Sequence, residues 1–228
     1  MFKKYVAIAG VCVLAGCTNI GGLRADLSSI PASKVTIVPT GIFNVEGETS
    51  GGPIGLIPAL IYQATNSSDR EASTARAKQI NLGNEVALAT AKSIMPLLES
   101  TGKFTSVEIH EGTLGSDKFS SWFSINKRTD LLSENSTQGG LLLDYGFQGL
   151  SIYKNAILGS YASGTLGVRL IDNRTGNVIG RAKASGISTT SGVRIAADEN
   201  QPEYEAAVKA AFEQLVGKLA GEALQSLF

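Results

Sequence analysis

Few side chains in this 228-residue chain could carry out acid–base or nucleophilic chemistry. His110 is the single histidine, so a serine–histidine–acid triad would have to use it. No Gly-x-Ser-x-Gly elbow accompanies it, and the segment from Gly186 to Thr190 does not fit that pattern. His110 lies beside Glu108 and Glu111 at the end of a predicted strand. We therefore interpret it as a surface histidine with satisfied hydrogen bonds.

The carboxylates offer no clearer site. Asp144 lies on the polar side of a predicted strand, where it is either paired or solvated, and a glycosidase would need a second carboxylate that the sequence does not identify. Asp198, Glu199, Glu203 and Glu205 are close in sequence, but they resemble the acids of a helix start and lack the glycine spacing of a calcium loop. Metal sites need several histidines, cysteines or converging carboxylates. We predict no metal, no cofactor and no enzymatic activity.

Apolar side chains are better candidates for contact with a partner. The chain's one tryptophan and its neighbour form an aromatic pair that could bind a protein or a sugar, since tryptophan is enriched at binding hot spots, or could pack within the domain. The stretch from Thr49 to Tyr62 is apolar but broken by Gly and Pro, and it is either a buried connection or an exposed interface. The candidate partner-binding residues are Ile54, Leu56, Ile57, Leu60, Trp122 and Phe123.

The first residues have the pattern of a secretory signal. Lys3 and Lys4 precede an apolar run from Tyr5 to Leu14, and small residues follow it. The run is shorter than the ~20 residues that a membrane-spanning helix needs. An ordinary signal peptide cleaved elsewhere and an uncleaved anchor are the alternatives to the interpretation that follows.

The sequence Leu14-Ala15-Gly16-Cys17 resembles the bacterial lipobox at each of its positions. The resemblance implies that residues 1–16 are removed and that Cys17 carries a diacylglyceryl group and an acylated amine, with palmitate among the chains. Several acyl chains hold a protein at a membrane firmly. Thr18 is not the aspartate that resembles an inner-membrane retention signal. The expected location is therefore the outer membrane, lipid-anchored on the periplasmic face.

Processing at Cys17 would leave the mature chain without a free thiol. Cys12 departs with the signal and Cys17 is acylated, so no disulfide, thiolate metal site or cysteine nucleophile is expected. Removing Lys3 and Lys4 from 20 basic and 20 acidic residues leaves a net charge of about −2, and there is no run of basic residues. The composition therefore argues against a nucleic-acid partner.

Hydrophobic periodicity divides the mature chain into a flexible tether, residues 17–33, and a single domain, residues 34–228. A helix is predicted from the capping box at Ser68 to about Ser100, with Gly83 and Pro96 as imperfections. A C-terminal helix follows Pro202. Strands are predicted at 34–39, 104–109, 141–148, 164–172 and 177–187, the last with Arg181 and Lys183 on its solvent side.

This order of elements predicts an α+β fold. We expect a mainly antiparallel sheet of about five strands, with the long helix and the C-terminal helix packed on one face. The hairpin from Leu170 to Ile179, with its Asp-x-x-Thr-Gly turn, resembles one found in the CsgG/LpoB-type and TolB amino-terminal-domain-like envelope families. That resemblance implies an assembly factor, a secretion-pore subunit or a regulator, and it transfers no functional residue.

The function expected from the sequence is that of an outer-membrane lipoprotein acting as a non-enzymatic assembly, scaffold or accessory factor. Its partners would be the membrane and an envelope protein of unknown identity. A homo-oligomer, in which further copies of the chain are partners, is a further possibility. One alternative is an oligomeric secretion-pore subunit, with residues 41–63 or 112–137 as membrane hairpins. Residues 53–62 lack the alternation of a barrel strand, which disfavours it. The other alternative is a periplasmic hydrolase or sugar-binding module.

Overall fold

The computed structural model of the chain describes residues 22–26, 28, 33–40, 46–49, 67–80, 82–111, 119–128, 140–155, 159–188, 195 and 202–228. Cys17, Ile54, Leu56, Ile57 and Leu60 lie outside these ranges, so their roles stay predictions. Within the described ranges, every helix is too short or too polar to cross a bilayer.

The described residues form six strands and four helices. The strands are β1 (Ser33–Pro39), β2 (Glu46–Thr49), β3 (Phe104–Ile109), β4 (Leu141–Asn155), β5 (Gly159–Asp172) and β6 (Val178–Ile187). The helices are α1 (Ser67–Ile80), α2 (Gly83–Ser100), α3 (Phe119–Ser124) and α4 (Glu203–Leu227).

The strands build one mixed sheet in the order β3-β1-β4-β5-β6, with β2 beside the far end of β4. The predicted meander is confirmed, since β4, β5 and β6 pair antiparallel in two long ladders. β1 instead lies between β3 and β4 and pairs parallel with both, and β2 pairs parallel with β4. The α+β class is confirmed. The sheet is mixed because the helices between these strands return the chain in the same direction.

The main core lies on the sheet face that α2 and α4 cover. Leu143, Tyr145 and Phe147 of β4 point into it, as their alternation predicts. The Tyr145 hydroxyl donates a hydrogen bond to the Ala87 carbonyl of α2, 2.8 Å away. An apolar stripe at helical spacing on α4 is also buried here: Tyr204, Val208, Ala211, Leu215, Leu219, Ala223 and Leu227.

The single helix predicted from Ser68 to Ser100 is two helices. α1 ends at Ile80 and α2 begins at Gly83, with Leu82 between them only 2% exposed. The low helix propensity of glycine favours a break at this point, and burial of Leu82 fixes it. α2 runs past Pro96 to Ser100, where the predicted helix ends, and Gly102 follows with a φ of +64°.

Candidate functional site

A short segment, Phe119–Arg128, lies across the second face of the sheet, and we call it the clasp. It contains α3, which at six residues is too short to be stable as an isolated helix. Two backbone hydrogen bonds fix its end to the β5–β6 turn: Arg128 N donates to Gly176 O, and Val178 N donates to Asn126 O, each at 2.8 Å. The clasp therefore depends on the strands beneath it.

Asp144 of β4 is the charge at the centre of this face, and its side chain is fully buried. Arg169 of β5 is its cross-strand partner and binds both carboxylate oxygens, with Nε to Oδ1 at 3.0 Å and Nη2 to Oδ2 at 2.5 Å. The clasp adds the Trp122 indole N–H at 3.0 Å from Oδ2 and Arg128 Nη1 at 3.4 Å. Such bidentate, charge-assisted contacts are the form in which a buried carboxylate is stabilised.

Arg169 also holds the end of α3. Its Nη1 donates to the Trp122 carbonyl and to the Ile125 carbonyl, the latter at 3.3 Å. Its guanidinium carbon lies 4.6 Å from the centre of the Trp122 ring. The last carbonyls of a helix have no partner within it and carry partial negative charge, so a cation there stabilises the helix. One arginine thus joins the buried carboxylate to the clasp.

Arg181 of β6 repeats this arrangement beside Arg169, its cross-strand partner on β5. Arg181 Nη1 donates to the carbonyls of Phe123 and Ser124 at 3.1 and 3.2 Å, and Nη2 donates to the Asn126 side-chain oxygen. Lys183 Nζ lies 4.3 Å from the centre of the Phe123 ring, a cation–π contact. Both cations were expected to face solvent, but both are half-buried because the clasp covers them.

The predicted site residues that the structure describes are used inside the domain. Trp122 is 1% exposed and Phe123 is 6% exposed. Their burial agrees with the alternative interpretation, packing within the domain, and leaves little of either side chain for a partner. Asp144 was expected to be either paired or solvated, and it is paired with Arg169. His110 follows β3, and its backbone N–H donates to Ile37 O at 2.9 Å.

The cluster is built to hold structure rather than to transfer protons. Each Asp144 oxygen accepts hydrogen bonds from cationic or indole donors, so neither is presented to a substrate. The sequence did not identify Arg128 and Arg169 as its partners. The available signal was that Asp144 and Arg169 occupy equivalent polar positions on two strands of one hairpin. Among the described residues, no three histidine, cysteine or acidic side chains are placed to share a metal ion.

Comparison with known proteins gives structural similarities only. No family model and no curated protein sequence matches the chain. The PelC dodecamer of Paraburkholderia phytofirmans is 10% identical, with 90% of this chain and 94% of that chain aligned at a TM-score of 0.41. Protein XCC0632 of Xanthomonas campestris is 11% identical, with 84% and 83% aligned at 0.38. Lipoprotein GNA1162 of Neisseria meningitidis is 14% identical, with 81% and 98% aligned at 0.26. These TM-scores are below 0.5 and indicate no role for any residue here.

Proposed function

We propose that this chain is an outer-membrane lipoprotein that faces the periplasm and acts as a non-enzymatic assembly, scaffold or accessory factor of an envelope complex. The observation that carries the proposal is the Leu14-Ala15-Gly16-Cys17 motif behind a short apolar run with two lysines before it. Acylation of Cys17 would attach the domain to the membrane without a spanning segment.

The use of the polar side chains supports a binding role over catalysis. The oxygens of the buried Asp144 carboxylate accept hydrogen bonds from Arg169, Arg128 and Trp122. A general acid or base must reach the proton that it transfers, and a carboxylate with no exposed surface does not. The same contacts give the domain a rigid second face, and a rigid surface lowers the entropic cost of binding another protein.

Crosslinking in intact cells tests this proposal. A photoreactive residue would replace Ile57, Leu88 or Ile125, of which Leu88 and Ile125 are 47% and 43% exposed. We expect at least one position to capture an envelope protein, because large exposed apolar side chains are the contacts that such a partner covers. Trp122 is unsuitable as a position because it is buried.

The matched control carries Cys17→Ser beside each photoreactive residue. Loss of the lipid would remove the domain from its partner's membrane, so the captured band should disappear. Absence of any captured protein at the three positions, or capture that is unchanged by Cys17→Ser, would contradict the proposed role.

A further inference from the structure

The outer edge of β6 is partly covered by the chain's own first described residues, Gly22–Asp26, which we call the N-terminal strap. β6 ends the sheet on this side, so its outward backbone groups need partners. Leu23 N donates to Arg181 O at 2.9 Å, and Arg181 N donates to Leu23 O at 2.8 Å. This reciprocal pair is the bonding of an antiparallel ladder. The strap is therefore attached to the domain.

The strap is also wedged between β6 and the end of α4. Ala25 N donates to the Leu227 carbonyl at 2.8 Å, which satisfies one of the last carbonyls of that helix. Gly180 of β6 lies beneath this contact. A Cβ at Gly180 would lie 2.7 Å from the Ala25 Cβ and 2.9 Å from Leu227 Cδ1, distances that real structures exclude. The sequence thus leaves room for the strap by placing glycine at this position.

A tight turn follows the strap. The Ser28 backbone N–H donates to the Asp26 carboxylate at 3.0 Å and the Ser28 hydroxyl donates at 2.5 Å, and these hydrogen bonds lower the pKa of Asp26.

We infer that the N-terminal strap holds the β6 edge of the domain toward a lipid bilayer, which makes this edge the membrane-facing surface. The inference rests on the proposed acylation of Cys17. Leu23 follows Cys17 by six residues, which span at most about 20 Å of extended chain. Without the strap, the connection would run sixteen residues to Ser33 and reach roughly 55 Å. The strap therefore shortens the longest possible connection from Cys17 to the sheet from roughly 55 Å to about 20 Å and makes β6 the edge to which it leads.

The opposite edge of the sheet provides the comparison for a test. β3 is four strand positions from β6, or about 19 Å away in the plane of the sheet. Ser185 on β6 and Ser106 on β3 are both exposed serines on edge strands. Ser185→Cys and Ser106→Cys are therefore matched variants. Since acylation uses Cys17 and processing removes Cys12, a thiol-reactive label would attach only to the new cysteine.

The experiment uses the lipidated protein, extracted from membranes and reconstituted into nanodiscs whose lipids carry a nitroxide on the headgroup. A bimane fluorophore on Ser185→Cys should be quenched at least about twofold more than one on Ser106→Cys, because quenching falls steeply over the separation of the two edges. Equal quenching, or stronger quenching on β3, would overturn the inference. Co-purification with nanodiscs is measured on the same samples. A protein that does not co-purify contradicts the proposed acylation of Cys17, whereas a protein that co-purifies with equal quenching at the two edges contradicts the proposed orientation.

Variants of the strap complete the test. Gly180→Ala should expel the strap from the edge and bring the two quenching values together, because the new Cβ would meet the Ala25 Cβ at 2.7 Å. Gly217→Ala is the control, since a Cβ there meets nothing within 4 Å. If Gly180→Ala fails to fold, Ala25→Pro replaces it, because proline lacks the backbone N–H that bonds the Leu227 carbonyl and its fixed φ also disfavours the bound strap. A quenching difference that survives release of the strap would overturn the inference.

Discussion

Asp144 and Arg169 face each other directly across β4 and β5, and together they form a bidentate ion pair with no exposed surface on either side chain. The pair lies between the sheet and the clasp and is the contact that orders the clasp's helix. Removing one partner from a buried pair leaves the other charge desolvated without compensation. Substitution of either residue should therefore destabilise the packing of the clasp on the second face of the sheet.

Asp144→Ala tests this dependence. The substitution leaves Arg169 and Arg128 buried beside each other without a counter-ion, and we expect it to lower the free energy of unfolding by about 3–5 kcal/mol. Denaturant titration measures the loss. The fluorescence of Trp122, which is 1% exposed, should also shift to longer wavelength in the native state, because loosening of the clasp admits water to the indole ring.

Glu108→Ala is the control for that experiment. It breaks the ion pair between Glu108 and Lys34, whose side chains are 54% and 39% exposed. Exposed pairs contribute about 0–1 kcal/mol because water and salt screen them. A loss in Glu108→Ala as large as the loss in Asp144→Ala would contradict the account of the buried cluster.

Two buried tyrosines should respond differently to removal of their hydroxyls. Tyr145→Phe breaks the hydrogen bond to Ala87 that ties β4 to α2, and we expect a loss of about 1 kcal/mol. The Tyr204 hydroxyl has no hydrogen-bond partner among the described residues, so Tyr204→Phe should be neutral or stabilising. Denaturant titration of both variants decides the matter, and a larger loss in Tyr204→Phe would contradict the packing described here.

Stability should fall in alkali because of the same two residues. Burial raises the pKa of Tyr145 far above its ordinary value of about 10, and burial raises the pKa of Tyr204 against the opposing charge of Arg76. Above pH ~10 the unfolded chain releases these protons while the folded chain retains them, so the free energy of unfolding decreases as the pH rises. Below pH ~10 both tyrosines are protonated in the folded and the unfolded chain, so their full contribution to the free energy of unfolding is retained.

Tyr145→Phe isolates this effect. The denaturant midpoint of the natural chain should fall more steeply between about pH 9 and pH 11 than the midpoint of Tyr145→Phe, which lacks one ionising group. Parallel pH profiles for the two proteins would show that the phenol of Tyr145 does not titrate differently in the folded and unfolded states.

Gly140 should tolerate no side chain. Its φ is +127°, and a Cβ would lie 2.9 Å from the Lys34 backbone oxygen, which belongs to a central strand. We expect Gly140→Ala to cost about 2 kcal/mol or more through backbone strain. Gly217→Ala, on an open part of α4, should instead stabilise the protein by up to about 1 kcal/mol. Thermal unfolding of the two variants measures the difference, and equal effects would contradict the strain at Gly140.

Local periodicity was sufficient to predict the first face of the sheet. Apolar residues repeat at helical spacing along α4, and residues of alternate faces follow one another from Leu141 to Phe147 in β4. Both patterns are visible in residues that are close in sequence. Gly83 marked the break between α1 and α2, but whether a chain bends at such a glycine depends on what buries Leu82, which sequence order alone does not give.

The second face of the sheet depends on contacts between distant residues. Asp144 and Arg181 lie on the polar sides of alternating strands, and the return of the clasp across the sheet covers them. The parallel insertion of β1 between β3 and β4 is likewise a long-range pairing, for which alternation within β1 carries no signal. The strap escaped prediction because its polar, glycine-rich composition is also that of a free linker.

Lipid attachment at Cys17 is measured by the mass of the N-terminal peptide of the mature protein, extracted from membranes and analysed by tandem mass spectrometry. We expect a peptide that begins at Cys17 and carries a diacylglyceryl group on sulfur and an acyl chain on the amine. A mature chain that begins at another residue, or a Cys17 with a free thiol, would contradict the lipid attachment on which both the proposed function and the membrane-facing edge depend.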